Sequence, residues 1–227
     1  MVLSLVLATL DSGAQTLAQG ANVLIVVTNR VGTNVVHEPP KSLADVFTNS
    51  VGMILVKISD KWVGRYDVTE KEFQSVMGFN PSVYPGPTHP VDSVSYTDAI
   101  EFCKKLTDED NKEMKIPPGY NYTLPTEDEW ESYVAEASLD DAVTSLNGDR
   151  DGTSVVGSLK PNSLGLYDIR GNVMQWTLGD DSKPYRVLRG GSWKDSVEIN
   201  FRPAFRFYSP PDSRQDTFGF RVVLKKG

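Results

Sequence analysis

One cysteine and two histidines are all the thiol or imidazole ligands that this 227-residue chain has to offer. With Cys103 alone, no disulfide can form within the chain, and the fold cannot depend on one. His37 and His89 leave too few ligands for an ordinary zinc site built from three or four His and Cys side chains. Basic charge is also short. A formal net charge of -7 argues against nucleic acid as a partner, because binding phosphate needs a basic face. No run approaches the roughly 20 apolar residues that span a bilayer. The opening MVLSLVLATL has the apolar character of a signal-peptide core but no positive charges before it. It reads as an ordinary first strand, and the compartment stays open between cytoplasm and cell surface or exterior.

What is present suffices for a core. Hydrophobic residues make up 39% and charged residues 23%, an ordinary balance that lets one large domain fold without staples. Three capping boxes organise the first half: Thr69 with Glu72, Ser95 with Asp98, and Thr126 with Glu129. In each, a hydroxyl accepts from an amide of the first helical turn while a carboxylate three residues on reaches back. Each box opens an amphipathic run: Phe73, Val76 and Met77 before Gly78; Ala99, Phe102, Cys103 and Leu106; and Trp130, Tyr133, Val134 and Ala137. Three short helices are expected.

Strand-like pieces fall at 24–27, 53–58, 61–66, 186–188 and 218–224. From about residue 147 onward Gly, Pro, Asn and Asp crowd the chain, so this half should be loop-rich with short strands, where binding residues usually sit. Residues 1–45, with Glu38-Pro39-Pro40, read as an N-terminal extension; residues 46–227 form the main domain. The sequon at Asn121 is a tripeptide common by chance.

Six ordered segments carry a resemblance. They are HPVDSVSYTDAIEFC (89–103), LPTEDEWESYVAEA (124–137), PNSLGLYDIRGNVMQW (161–176), RVLRGGSW (186–193), FRPAFR (201–206) and GFRVVL (219–224). Together they resemble the formylglycine-generating-enzyme, or sulfatase-modifying factor, family from about Asn49 to Leu224. The resemblance implies an α+β fold, a C-type lectin-like variant with short sheets and a loop-rich C-terminal half. It does not settle function, since one fold hosts several.

Enzymes of this family use two cysteines shortly after the Gly-Gly-Ser motif to bind copper, a soft pairing. Aligned on Gly190-Gly191-Ser192, those positions hold Asp195 and Asn200 here, and neither supplies a thiolate. Cys103 lies on an apolar helical stripe, where cysteine acts as a small hydrophobe. His89 belongs to the family's structural His-Pro-Val motif. A sister branch with three-histidine iron needs ligands that this chain lacks. The expectation is a protein with no catalytic residues, with an oxidoreductase of unrecognised chemistry as the alternative.

The resemblance also implies a calcium turn at LYDIRGNVMQW. Its ligands would be the Asp168 side chain, the Gly171 and Val173 carbonyls and the Gln175 side chain, hard oxygen donors of the kind calcium takes. The family usually has Glu where Gln175 stands, so one charge is missing. A calcium site and a metal-free turn packed under Trp176 both remain open, and no other cofactor is expected.

Between the frame residues Trp193, Arg202, Ala204, Arg206, Gly219, Phe220 and Arg221 lies a mixed aromatic and polar set. It comprises Lys194, Asp195, Ser196, Glu198, Asn200, Phe201, Phe205, Phe207, Tyr208, Ser209, Arg214, Gln215, Asp216 and Thr217. Aromatics give contact area at low entropy cost and small polar groups adapt, so these are the candidate ligand-binding residues. Phe201 and Phe205 are equally readable as core. The layout resembles the variable proteins of diversity-generating retroelements, whose variable positions lie between GGSW and GFR in the same lectin-like domain. The partner expected is a protein or other surface ligand of unstated identity.

Overall fold

The computed structural model describes residues 44–227 and, before them, the backbone of four strands: β1 (Ala8–Thr9), β2 (Ala14–Gln19), β3 (Asn22–Asn29) and β4 (Gly32–Val36). These four pair in sequence order as an antiparallel sheet. The strand expected at 24–27 lies inside β3. His37 and Glu38-Pro39-Pro40 fall outside the described residues.

The second sheet has five strands: β5 (Val46–Thr48), β6 (Ile54–Ile58), β7 (Lys61–Gly64), β8 (Tyr120–Thr123) and β13 (Val223–Lys226). Their order is β5-β6-β7-β13-β8, so the last strand of the chain slots between two early ones. Strand periodicity sends alternate side chains to opposite faces, and both faces are covered. Trp62, Leu224 and Tyr122 point into the larger core, while their neighbours Val63 and Val223 point into a smaller one with Trp130 and Tyr133.

The helices are α1 (Glu70–Met77), α2 (Tyr96–Lys112) and α3 (Glu127–Val134), and all three capping boxes close as the residues predict. Thr69 N donates to Glu72 Oε2 at 2.8 Å, Ser95 N to Asp98 Oδ2 at 3.0 Å, and Thr126 N to Glu129 Oε2 at 2.8 Å. Gly78 stops α1 in the left-handed region, φ 81°. The α2 stripe of Ala99, Phe102, Cys103 and Leu106 is buried throughout. Phe102 stacks on Phe73 at 5.7 Å, and Phe220 meets both edge-on. Helix α3 ends one turn short of its expected stripe. Ala135 turns to φ 43°, leaving Ala137 half-buried beyond the helix.

A third sheet joins β9 (Met174–Trp176), β10 (Arg186–Arg189), β11 (Phe207–Ser209) and β12 (Phe218–Gly219) in the order β11-β10-β9-β12. The single strand expected over 218–224 is therefore two. Phe218 pairs in parallel with Met174 in the third sheet, whereas Val223 pairs with Val63 in the second. Between them Arg221 is fully buried and its guanidinium bonds Gly64 O at 2.6 Å, an anchor that carries the chain from one sheet to the other.

Candidate functional site

The segment expected to form the surface starts at a turn that only glycine permits. Gly191 has φ 70°, and a Cβ there would stand 2.5 Å from the Phe201 ring. Phe201 is wholly buried against this turn, while Phe205 is half-buried. That resolves which of the two is core.

Beyond the turn, Asp195 is the local organiser. Its Oδ2 accepts from Ser192 N at 2.8 Å and Ser192 Oγ at 2.7 Å, and its Oδ1 accepts from Asn200 Nδ2 at 2.5 Å. Thr144 Oγ1 donates to Asp195 O and Ser145 Oγ to Trp193 O, pinning the loop to residues 144–145. The two ends of the segment meet at Asp216. Trp193 Nε1 donates to its carbonyl at 3.1 Å, Tyr84 Oη to its carboxylate at 3.2 Å, and Lys194 Nζ stands 3.5 Å away. Tyr84 packs edge-on against Trp193 at 5.1 Å, and burial together with Asp216 raises its phenol pKa.

Two ion-pair clusters hold the rest. Arg189 is fully buried, stacks on Trp130 and bonds Glu127, Glu131 and the Pro203 carbonyl. Arg206 joins the same two carboxylates, so α3 clamps the 203–206 stretch. Arg214 grips the capping carboxylate of α2, its Nη2 2.8 Å from Asp98 Oδ1 and its Nη1 2.5 Å from Oδ2.

The fourteen candidates thus divide. Ser209 and Thr217 are buried, a correction to their expected place at the surface, and Phe201 is buried too, the core reading of a residue that the sequence left open; packing under the loop takes all three out of reach of a ligand. Asp195, Asn200 and Asp216 are partly accessible and Arg214 is exposed, but all four hold the loop together through the bonds above. Phe205 and Phe207 are half-buried, and Phe207 packs on Phe218 at 5.7 Å. Lys194, Ser196, Glu198, Tyr208 and Gln215 are exposed, with Tyr208 at 61%. Sequence reasoning missed Val197 and Ile199, at 55% and 51% exposed, and Tyr185 at 54%. Val197 and Ile199 alternate with Ser196, Glu198 and Asn200 just after the Gly-Gly-Ser-Trp turn. That irregular setting was the available signal that apolar residues there need not be core.

Two of the four expected calcium donors, the Gln175 and Asp168 side chains, are engaged by the protein itself. Gln175 is fully buried; its Oε1 accepts from Trp130 Nε1 at 3.0 Å and Arg221 Nε at 3.4 Å, and its Nε2 donates to Asp168 O at 2.8 Å. Asp168 Oδ2 accepts from Gly157 N at 2.7 Å. Burial raises the pKa of Asp168 despite that bond and the Arg221 charge. A buried guanidinium already meets the amide oxygen that calcium would need, so this donor set fits calcium poorly. Gly171, at φ 80°, is required for a different reason: a Cβ there would stand 2.5 Å from Val143 O.

Among the described residues, Cys103 and His89 are the one thiol and the one imidazole that could act as a nucleophile or a base near neutral pH. Cys103 is buried and burial pushes its thiol pKa up, away from the reactive thiolate. His89 is half-buried, with Nδ1 3.0 Å from Thr153 Oγ1. Among the described residues no three His, Cys, Asp or Glu side chains converge as a metal site, and no helix is long and apolar enough to cross a membrane.

Comparison with known proteins places this geometry. The sulfatase-modifying factor enzyme 1-like domain matches residues 44–226. Chaperone protein LppX of Paenibacillus barcinonensis is 33% identical over 235 residues, covering 75% of this chain and 82% of that protein. The inactive C-alpha-formylglycine-generating enzyme 2 of Mus musculus is 35% identical over 134 residues, covering 46% of this chain but 43% of its own length. Treponema denticola variable protein 1 superposes with a TM-score of 0.63 at 24% identity, covering 93% of this chain and 99% of that one. The α+β architecture is the C-type lectin-like fold of the formylglycine-generating type.

Proposed function

The chain belongs to the family of sulfatase-modifying factor enzyme 1-like domains, and on that premise we propose that it is a non-catalytic member that displays a ligand-binding surface. The observation that carries this reading is the Asp195–Asn200 hydrogen bond. Where the family resemblance calls for two copper-binding thiolates, a carboxylate and an amide bond each other and knit the loop. Copper(I) has no soft ligand there. An inactive relative and a variable protein of the same fold are consistent with a scaffold that has kept its frame without the chemistry.

The surface comprises the exposed part of 194–217, with Tyr208 as its largest accessible aromatic, on a frame held by the Arg189, Arg206 and Arg214 clusters. Rigid support under exposed aromatic and small polar groups lowers the entropy cost of binding. Its partner is a protein or another macromolecular surface. A relative named as a chaperone is in keeping with a protein partner.

Two measurements test the reading. Incubating the protein with a cysteine-containing sulfatase peptide, copper and oxygen should yield no formylglycine by mass spectrometry; product would establish the oxidoreductase alternative. Sequencing the DNA beside the gene addresses diversification. A near-copy of the codons for 193–221, differing mainly at adenines and beside a reverse transcriptase, identifies a diversified receptor. Without one, the protein is a fixed binding module.

A further inference from the structure

Away from that surface, Arg170 is a half-buried arginine with no acceptor among the described residues, and its Nε is sealed from solvent. Arg189, Arg206, Arg214 and Arg221 each hold a carboxylate. Loss of hydration lowers the Arg170 pKa from its usual value, with no compensating charge beside it. A half-buried cation with no partner has lost part of its hydration without compensation, and an anion that reaches it offsets that loss.

Arg170 lines a cavity of about 110 Å³ between the chain after α3 and the turn at 160–170. The same wall carries Lys160, Asp141, Glu136 and Asp168. Lys160 Nζ lies 3.8 Å from Asp141 Oδ1, so those two charges largely offset each other. Asp168 is turned to the Gly157 amide. That leaves one cation, Arg170, and one carboxylate, Glu136, with no protein partner among the described residues.

We propose that this cavity binds a small zwitterion of the free amino-acid class, its carboxylate on the Arg170 guanidinium and its ammonium toward Glu136. The fork of a guanidinium matches a carboxylate with two parallel hydrogen bonds. Three carboxylates in the lining disfavour a multiply charged anion such as phosphate, and Arg170 disfavours a simple cation. The volume equals that of roughly four liquid waters at ~30 Å³ each, which suits a glycine- or alanine-sized molecule. Nothing in this site depends on the surface at 194–217.

Isothermal calorimetry on the whole chain decides it, with glycine and alanine as probes and acetate, phosphate and ethylamine as comparisons. The expected result is binding of glycine and alanine at least tenfold tighter than of any comparison. Arg170→Met should abolish it while leaving the melting temperature unchanged or raised, since the unpaired charge is gone. Glu136→Gln, at an exposed position, should weaken glycine and leave acetate unaffected. No heat from either amino acid overturns the proposal, as does equal glycine binding by Arg170→Met. Phosphate or acetate binding as tightly as glycine also overturns it, because the site would then recognise the anion alone.

Discussion

Asn200 Nδ2 donates to Asp195 Oδ1 at 2.5 Å, so the two residues that the family resemblance sets against the enzymes' cysteines are bonded to one another. The other oxygen of Asp195 takes the amide and hydroxyl of Ser192. One carboxylate therefore closes both the Gly-Gly-Ser turn and the loop that follows it.

Removing it should be costly. Asp195→Ala leaves the Ser192 amide without its acceptor, and losses of this kind run to about 1–3 kcal/mol. Asn200→Ala removes a single bond and should cost about 1 kcal/mol. Urea melts measure both. If Asp195→Ala melts like the parent, the carboxylate does not organise the loop.

Cys103 offers a second test. It is sealed in the α2 stripe with its thiol pKa raised by burial, and Thr107 Oγ1 donates to its carbonyl at 2.8 Å. A thiol reagent such as DTNB should leave the native protein unmodified at neutral pH and react with one equivalent in denaturant. Rapid native labelling would mean that α2 opens locally, or that the thiol is a functional group after all.

The part of this structure written locally was legible in the sequence. Each capping box involves residues three apart, and each stripe a single helix, so Thr69, Ser95 and Thr126 announce their helices unaided. The long-range arrangement was not. That β13 enters between β7 and β8 depends on Val63 and Thr123 both meeting Val223, partners separated by a hundred residues or more of chain. Short strands such as Met174–Trp176 offer too few residues for any alternation to register. At the surface, the sequence named the segment but not the roles within it. Arg214 reads as a binding residue until Asp98 is found gripping it, and nothing near position 214 predicts that pairing.

Gln175 sets up the third test. Its amide satisfies Trp130 Nε1, Arg221 and the Asp168 carbonyl at once, all in the interior. We expect the melting temperature to be the same with EDTA as with millimolar calcium. Gln175→Ala should cost about 2–4 kcal/mol, because it strands a buried indole donor and weakens the setting of a buried guanidinium. A melting temperature that falls on chelation would show that calcium, and not the amide network, closes the turn.

The acid limb of stability should trace to Glu129. This carboxylate caps α3 and also accepts from Lys61 on β7 at 2.8 Å and Lys225 on β13 at 2.9 Å, tying the helix to the second sheet. Burial opposes its charge, but hydrogen bonds from Lys61, the Thr126 amide and Lys225 carry its pKa from the ordinary 4.5 down to about 2. A depressed folded pKa means stability that is complete above the unfolded value and lost as pH falls toward the folded one. Asp67 and Asp168 act in the opposite sense. Burial raises both pKa values, so their protonation on acidification favours the folded state. The raw pH curve therefore mixes two slopes, and only a difference separates them. Glu129→Gln should be less stable than the parent at pH 7, and the gap should narrow between about pH 5 and about pH 2 as the parent protonates. A gap that stays constant over that range would show that the three bonds to Glu129 contribute shape without charge.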